Sequence, residues 1–447
     1  MFERLVPTAL ADGALKHLRS ESVGRGSIVA WLGHNSWDML ATLVACERLG
    51  AVLLPLNWRL AAPELAQILR HAGAGHLMGT PEFDTLAAEV LARAPLHPGP
   101  AAGVQPGDLL LVYTSGTTGE PKGAMHSAAG MQANAVAAIA AQGLKAEDRV
   151  LSVLPLFHVG GLAIQTVPAL AVGAKVLLHP RFEPTTWFDA VEQWRPTTTL
   201  LVPAVMRALI EHPRWPGVDL SSLKYINSGS QIVPRHLIDA FHARGIPVAQ
   251  VYGSTETGPV SIVLRPDEAM THPGLAGRAA MGVEVRLAAD GEVLIRAPNL
   301  MRGYHRGDGC GIDAAGWFAT GDLAVQHLDG VYEIVGRSKE LIISGGENIH
   351  PAEIENLIAA MPGVAECALV GMPDERWGEV PVLILVMRAG CAAPTKAAVH
   401  AALEGAVARF KWPRALTVLP SLPRTALGKV RRGHLVARLG DMAWPQG

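Results

Sequence analysis

The stretch Leu109-Leu110-Leu111-Val112-Tyr113 runs straight into Thr114-Ser115-Gly116-Thr117-Thr118-Gly119-Glu120-Pro121-Lys122-Gly123. The short apolar run reads as a buried strand. The residues Thr114 to Gly119 are all glycines or hydroxyl side chains. Glycines let backbone N–H groups close around a phosphate, and the hydroxyls add donors. Lys122 adds a mobile positive charge. The pattern is not a Walker loop, which needs Gly-Lys-Ser/Thr opening a helix. Here Pro121 precedes the lysine and Gly123 follows it. A plain Gly/Ser/Thr linker would need neither the strand ahead nor the lysine behind.

Ahead of this segment, Ser27 to Leu32 reads as a strand and Trp37 to Leu49 as a helix. Ala51 to Leu54 reads as a second strand, stopped by Pro55. Leu91 to Pro106 is rich in Ala, Pro and Gly and reads as a surface connection. Beyond the segment, strand–helix alternation resumes through Leu151–Leu154, Lys175–Leu178 and Thr199–Val202. Such alternation predicts parallel strands with crossover helices. From Gly277 to Val335 the strands shorten, and Asp-Gly pairs at 290–291 and 329–330 predict tight antiparallel hairpins. The last stretch reads as a separate α+β unit. It opens with a helix after His350-Pro351 whose apolar face is Ile354, Leu357, Ile358 and Met361. A second helix would present Val399, Leu403, Ala406, Val407 and Phe410. The fold class expected is α/β: a large N-terminal domain of parallel sheets with a small antiparallel barrel-like subdomain (1–337), then a small mobile α+β domain (338–447).

The chain has 447 residues, 49% hydrophobic and 17% charged, which excludes global disorder. Its net charge of −2 supplies no broad electrostatic footprint for nucleic acid or an anionic membrane. The apolar stretch Val150 to Ala174 is interrupted by Pro155, Gly160, Gly161 and Pro168, so we expect no membrane span. Cys46, Cys310, Cys367 and Cys391 form no Cys-x-x-Cys pair, and no basic-then-apolar leader opens the chain. These features fit reduced thiols in a cytoplasmic protein.

Further motifs accompany the first: Tyr252-Gly253-Ser254-Thr255-Glu256-Thr257, Gly316-Trp317-Phe318-x-Thr320-Gly321-Asp322, and Gly336-Arg337-Ser338-Lys339-Glu340. After them come Gly345-Gly346-Glu347-Asn348-Ile349-His350-Pro351-x-Glu353-Ile354-Glu355 and Pro423-Arg424-Thr425-x-x-Gly428-Lys429. In this order they resemble the adenylate-forming enzymes: acyl- and aryl-CoA ligases, peptide-synthetase adenylation domains and firefly-type luciferases. The resemblance implies ATP, Mg²⁺ and coenzyme A as cofactors. It assigns Thr114, Ser115, Gly116, Thr117, Thr118, Gly119 and Lys122 to the β- and γ-phosphates, Glu256 to Mg²⁺, and Thr255 to the α-phosphate. Asp322 would accept from the ribose hydroxyls with Arg337 assisting. Tyr252 would stack on adenine, with Gly253 beside it. Ser228-Gly229-Ser230 would pass its backbone close to the purine edge, where a missing Cβ helps. Lys429 would bridge the attacking carboxylate and the α-phosphate. The family uses its C-terminal domain twice, turning about the position of Lys339, and Ser344 to Asn348 would then line the thiol tunnel.

Within the family, Gly345-Gly346-Glu347-Asn348 and Arg376-Trp377-Gly378-Glu379 are similar to CoA ligases, including the 4-chlorobenzoate and o-succinylbenzoate enzymes. Trp377 would stack on the CoA adenine. Pro155-Leu156-Phe157-His158-Val159-Gly160-Gly161 resembles their acyl-pocket motif, with His158 flanking the carboxylate. No Asp stands where peptide adenylation domains hold the substrate ammonium. The pocket would include Gly161, Ser228, Tyr252, Gly253, Gly258 and Val260, which suits an apolar aryl or medium-chain monocarboxylic acid. Two departures stand out. The chain ahead of the phosphate loop is several tens of residues shorter than is usual, implying a trimmed first subdomain or an internal start. Trp412 stands where some relatives carry a cation for CoA phosphates, leaving Arg59 and Lys411 as substitutes. Three alternatives stay open: transfer to a carrier-protein thiol, o-succinylbenzoate–CoA ligation, and nucleotide binding without turnover. The expected partners are the carboxylic acid, ATP and CoA, and a homodimer stays open.

Overall fold

The structure, a computed structural model, describes residues 1–114, 122–307, 311–345, 347–374, 376–424 and 429–440. Packing divides the chain into two units. One comprises Met1–Val233, Leu237–Arg286 and Leu294–Ala319, and the other Pro234–His236, Leu287–Val293 and Thr320–Gly447.

Strands β1 (Ile28–Leu32), β2 (Val52–Leu56), β3 (His76–Gly79), β4 (Asp108–Thr114) and β5 (Lys122–Ser127) form one sheet in the order β5-β4-β2-β1-β3. β1 pairs in parallel with β2 and β3, and β2 with β4. Every residue of β1 is buried, as a strand covered on both faces requires. Val29 and Trp31 join one apolar cluster, and Ile28, Ala30 and Leu32 the other.

The helix Trp37–Leu49 has the limits that its sequence predicts. Ser36 Oγ caps it by accepting from Met39 N, and Gly50, at φ +66°, ends it in the left-handed region. One expectation needs correction here. β2 continues through Pro55, opposite Trp31; its pairing with β4 is at Leu53, so the missing N–H falls where that ladder opens. The chain also returns from the glycine-rich loop as a strand: β4 and β5 are antiparallel, with Thr114 opposite Lys122.

The second sheet contains β6 (Arg149–Ser152), β7 (Lys175–Leu178), β8 (Thr198–Leu201), β9 (Tyr225–Gly229), β10 (Val248–Tyr252), β11 (Ile262–Leu264) and β12 (Arg278–Ala279). Its order is β12-β11-β10-β9-β8-β6-β7, parallel from β10 to β7 and antiparallel at β11 and β12. The apolar stretch after Val150 resolves into the end of β6, a π-helix at Gly160–Thr166 and an α-helix at Val167–Val172. Among the described residues no helix is long and apolar enough to cross a membrane.

Buried Asn35 ties the two sheets together. Its Nδ2 donates to Leu154 O and His179 O, each at 3.0 Å, and its Oδ1 accepts from Leu156 N at 2.8 Å. The chain thereby satisfies backbone groups that burial would otherwise orphan.

β13 (Glu284–Leu287), β14 (Glu292–Arg296), β16 (Phe318–Gln326) and β17 (Tyr332–Arg337) make the antiparallel subdomain, while β15 (Gly303–Tyr304) extends the first sheet beside β5. Both Asp-Gly pairs fall in the connections expected of them. β18 (Ile342–Ser344), β19 (Glu347–Ile349), β20 (Val364–Asp374), β21 (Gly378–Met387) and β22 (Ala415–Val418) form the last sheet. The helix Pro351–Ala359 packs on β20 and buries Ile354 and Ile358. The second helix is shorter than the apolar pattern implies. It covers Lys396–Leu403 and ends before Gly405, which has φ +76°, leaving Phe410 37% exposed outside it. Large parallel sheets, an antiparallel subdomain and a small α+β unit are thus the fold class that the sequence implies.

Candidate active site

The hairpin β4–β5 sets Thr114 and Lys122 side by side, with Thr114 Oγ1 donating to Lys122 O at 3.4 Å. Ser115, Gly116, Thr117, Thr118 and Gly119 lie outside the described residues. Tyr304, from β15, donates its hydroxyl to Glu256 Oε1 at 2.9 Å, while Met301 N donates to Glu256 O at 2.8 Å. The Lys122 ammonium lies 5.5 Å from the centre of the Tyr304 ring. Lys122, Tyr304 and Glu256 therefore form one constellation where β4 and β5 end at Thr114 and Lys122. Burial, then the neighbouring Glu256 charge, push the Tyr304 phenol upward, so it remains a donor at neutral pH.

Tyr304 and His126 were not singled out from the sequence. Tyr304 lies 48 residues from its partner Glu256, beyond the reach of any local pattern. His126 is on β5, fully within the core, and hydrogen-bonds the backbone of Thr255. Burial lowers its pKa from 6.5 to about 4, against the opposing pull of Glu256. The unfolded imidazole takes a proton near pH 6.5, and the folded one resists until about pH 4. Its contribution is thus present above pH 6.5 and lost as pH falls, by about 3 kcal/mol at most. Denaturant unfolding at pH 7 and pH 4.5 should show a larger acid loss for the native chain than for His126→Gln. Equal losses would remove this assignment.

Tyr252 ends β10, and β9 carries Ser228 and Gly229 beside it in parallel register. Ser228 is fully buried; Ser230 sits at φ +69°, in the left-handed region that costs a non-glycine residue about 1 kcal/mol. Packing alone already requires a glycine at Gly229: a Cβ there would run into the carbonyl of Val251. Gly253 meets Pro259 O, and Gly161 meets Pro155 O, in the same way. Thr255 accepts from Gly258 N through its carbonyl at 3.3 Å. The His158 ring lies tilted against Phe157 with ring centres 4.4 Å apart, and its backbone carbonyl accepts from Leu162 N just ahead of the π-helix. Exposed Arg59 lies over the rings of Trp58 and Phe157, at 5.0 and 5.8 Å.

In the second unit, β16 and β17 place Asp322 directly opposite Arg337, and the two form an ion pair of 2.7 Å. The Asp322 side chain is 9% exposed. Gly345 and Trp377 also come together. Gly345 N donates to Trp377 O at 2.8 Å, and a Cβ on Gly345 would press on the indole. The half-exposed indole carries Arg376 and Arg414 at 5.0 and 5.5 Å. Gly346 lies outside the described residues. Lys429 lies immediately before Val430, which bridges to Arg424, and shortly ahead of helix Arg432–Gly440. Lys411 is not a spare cation: its ammonium holds both Glu353 oxygens, at 2.7 and 2.9 Å. Trp412 turns inward and donates to Val407 O.

Residues 9–305 match the family model for AMP-binding enzymes, and residues 353–429 match the model of their C-terminal domain. The chain belongs to the AMP-binding enzymes, in the acyl- and aryl-CoA ligase branch of the adenylate-forming superfamily. It is 46% identical to an indoleacetate–CoA ligase of Aromatoleum aromaticum, covering 96% of this chain and 92% of that one. It is 38% identical to a feruloyl-CoA synthase of an Amycolatopsis species, over the same shares. Among solved structures, o-succinylbenzoate CoA synthetase of Bacillus subtilis in complex with its acyl-adenylate superposes with a TM-score of 0.85 at 29% identity, covering 98% of this chain and 92% of that one.

Proposed function

We propose that this chain converts an apolar, aryl-bearing monocarboxylic acid into its CoA thioester. It is an AMP-forming acid–thiol ligase. A carboxylate and ATP give an acyl-adenylate and pyrophosphate, and CoA then takes the acyl group as AMP leaves. The observation that carries the reading is the Lys122–Tyr304–Glu256 constellation beside the paired residues Thr114 and Lys122. The aryl preference rests on the indoleacetate and feruloyl relatives and on the small, neutral residues around His158 and Tyr252.

In this reading residues 114–119 and Lys122 hold the β- and γ-phosphates, and Thr255 faces the α-phosphate. Among the described residues no cluster of three His, Cys, Asp or Glu could cage a metal. Mg²⁺ needs none, because one or two carboxylates plus substrate phosphates suffice. The Glu256 carboxylate, oriented through Oε1 by Tyr304, fits that role. Mg²⁺ held there would neutralise charge on the departing pyrophosphate. Asp322, oriented by Arg337, accepts from the ribose diol. Tyr252 covers adenine, with Ser228, Gly229, Ser230 and Gly253 along its edge. His158 flanks the substrate carboxylate. Lys429 meets the charge shared by nucleophile and α-phosphate, which is greatest in the transition state. Residues 338–447 turn about Lys339 between the half-reactions and bring Gly345, Gly346 and Trp377 to CoA. The free thiols of Cys46, Cys367 and Cys391 agree with a cytoplasmic setting.

Acid-dependent exchange of labelled pyrophosphate into ATP, run over a panel of carboxylic acids, tests this. Arylalkanoic and aryl acids should lead, with CoA thioester as the final product. ADP as product would overturn the adenylate route, and preference for medium-chain fatty acids would overturn the aryl assignment. A second reading, o-succinylbenzoate, draws on Arg59, a cation near Phe157 that could pair a second carboxylate. Including that diacid in the panel decides between them.

A further inference from the structure

Arg432 carries the densest set of charged contacts described in the second unit. Its Nε donates to Glu340 Oε2 at 3.0 Å. Its Nη1 donates to Glu355 Oε1 at 2.6 Å and to Leu369 O at 2.8 Å, and its Nη2 to Glu355 Oε2 at 3.0 Å. The side chain is only 20% exposed. One planar guanidinium thus joins three separate segments: the turn Ser338–Glu340, the helix Pro351–Ala359 and strand β20. A lysine could not do this, since only the five-donor fork serves two carboxylates and a carbonyl together.

The residue is also three places after Lys429. The loop that bears Lys429 is closed at its base by Arg431 N donating to Pro423 O at 2.8 Å. Its incoming arm is fastened by an ion pair of 2.9 Å between Arg424 and Glu366 of β20. Its outgoing arm is fastened by Arg432 and by the burial of Leu435 and Leu439 against Ala368 and Val370. Both arms therefore stand on β20, and the outgoing one reaches Glu340, the residue after Lys339.

We propose that Arg432 is a positioning residue that sets Lys429 in fixed relation to the pivot, by binding Glu340 and so ending the movable segment at Lys339. The proposal rests on the adenylate reading above and on the pivot assigned to Lys339. With the contact intact, rotation at Lys339 carries the lysine loop as one rigid piece. With it broken, slack enters between pivot and lysine, and a shift of about 1 Å at a reacting centre can cost ~100-fold in rate. The contact concerns only the half-reaction that uses Lys429. A purely structural ion pair would instead affect both half-reactions alike.

The test is Glu340→Gln in the full chain, because Arg432 then keeps Glu355 and Leu369 and the domain keeps its core. Pyrophosphate exchange should fall about tenfold, while thioester formation from supplied acyl-adenylate and CoA stays within about twofold. Arg432→Lys should show the same split, because restored charge without the fork does not rejoin the segments. Equal loss in both half-reactions, no loss in either, or full rescue by lysine would overturn the proposal. The native chain serves as the control for the underlying reading. If it shows no acid-dependent exchange, the adenylate assignment fails. If it does and the variants show no split, only the positioning role fails.

Discussion

Replacing Lys429 by alanine should lower adenylate formation by roughly a hundredfold to a thousandfold, the range seen when a donor to developing charge is removed. Thioester formation from supplied acyl-adenylate should change little. The asymmetry follows from the chemistry. In the first half-reaction two anionic groups, carboxylate and α-phosphate, must approach each other, and a cation shared between them gains most at the transition state. In the second half-reaction a thiol attacks a mixed anhydride whose leaving group is already activated. Separate assays of the two steps check the claim, and parallel losses would contradict the role given to Lys429.

Gly253→Ala should destabilise the chain by about 3 kcal/mol, at the upper end of the usual cost of overpacking. The Cβ would overlap the carbonyl of Pro259 and lie 3.0 Å from Thr257 Oγ1, the atom that accepts from Ser254 N. Neither neighbour is the loose end of a long side chain, so relief requires backbone movement in the segment that leads to Glu256. Denaturant unfolding reads the loss. A variant as stable as the native chain would show that this turn has slack.

The glycines of this region mark the limit of what was legible from residue order. Their presence was visible, but their reason was not. Gly229, Gly253 and Gly161 each face a carbonyl contributed by another stretch of chain. A sequence shows the missing Cβ but not which atom occupies its place. Local signals were read well where a side chain or turn acts within a few residues. The Trp37–Leu49 helix is bounded by a cap and a left-handed glycine that both lie beside it. The same signal was passed over at Gly405, where apolar spacing suggested a longer helix than the chain adopts. Pairings at long range stayed hidden. Tyr304 with Glu256, and Arg432 with Glu340, Glu355 and Leu369, depend on the sheets and helices first coming together. Lys411 and Trp412 show the converse. Lys411 was expected to substitute for the cation that Trp412 displaces, yet a nearby carboxylate holds the lysine and an apolar cluster the tryptophan.

Asn35 has a bearing on how the larger unit comes apart. Three of its hydrogen bonds run from the segment after β1 to backbone just beyond β6 and β7 of the second sheet. Neither sheet can peel away without stranding an amide and the main-chain groups it serves in a dry interior. The two should therefore melt together as one cooperative block, and partial denaturation confined to one of them is disfavoured.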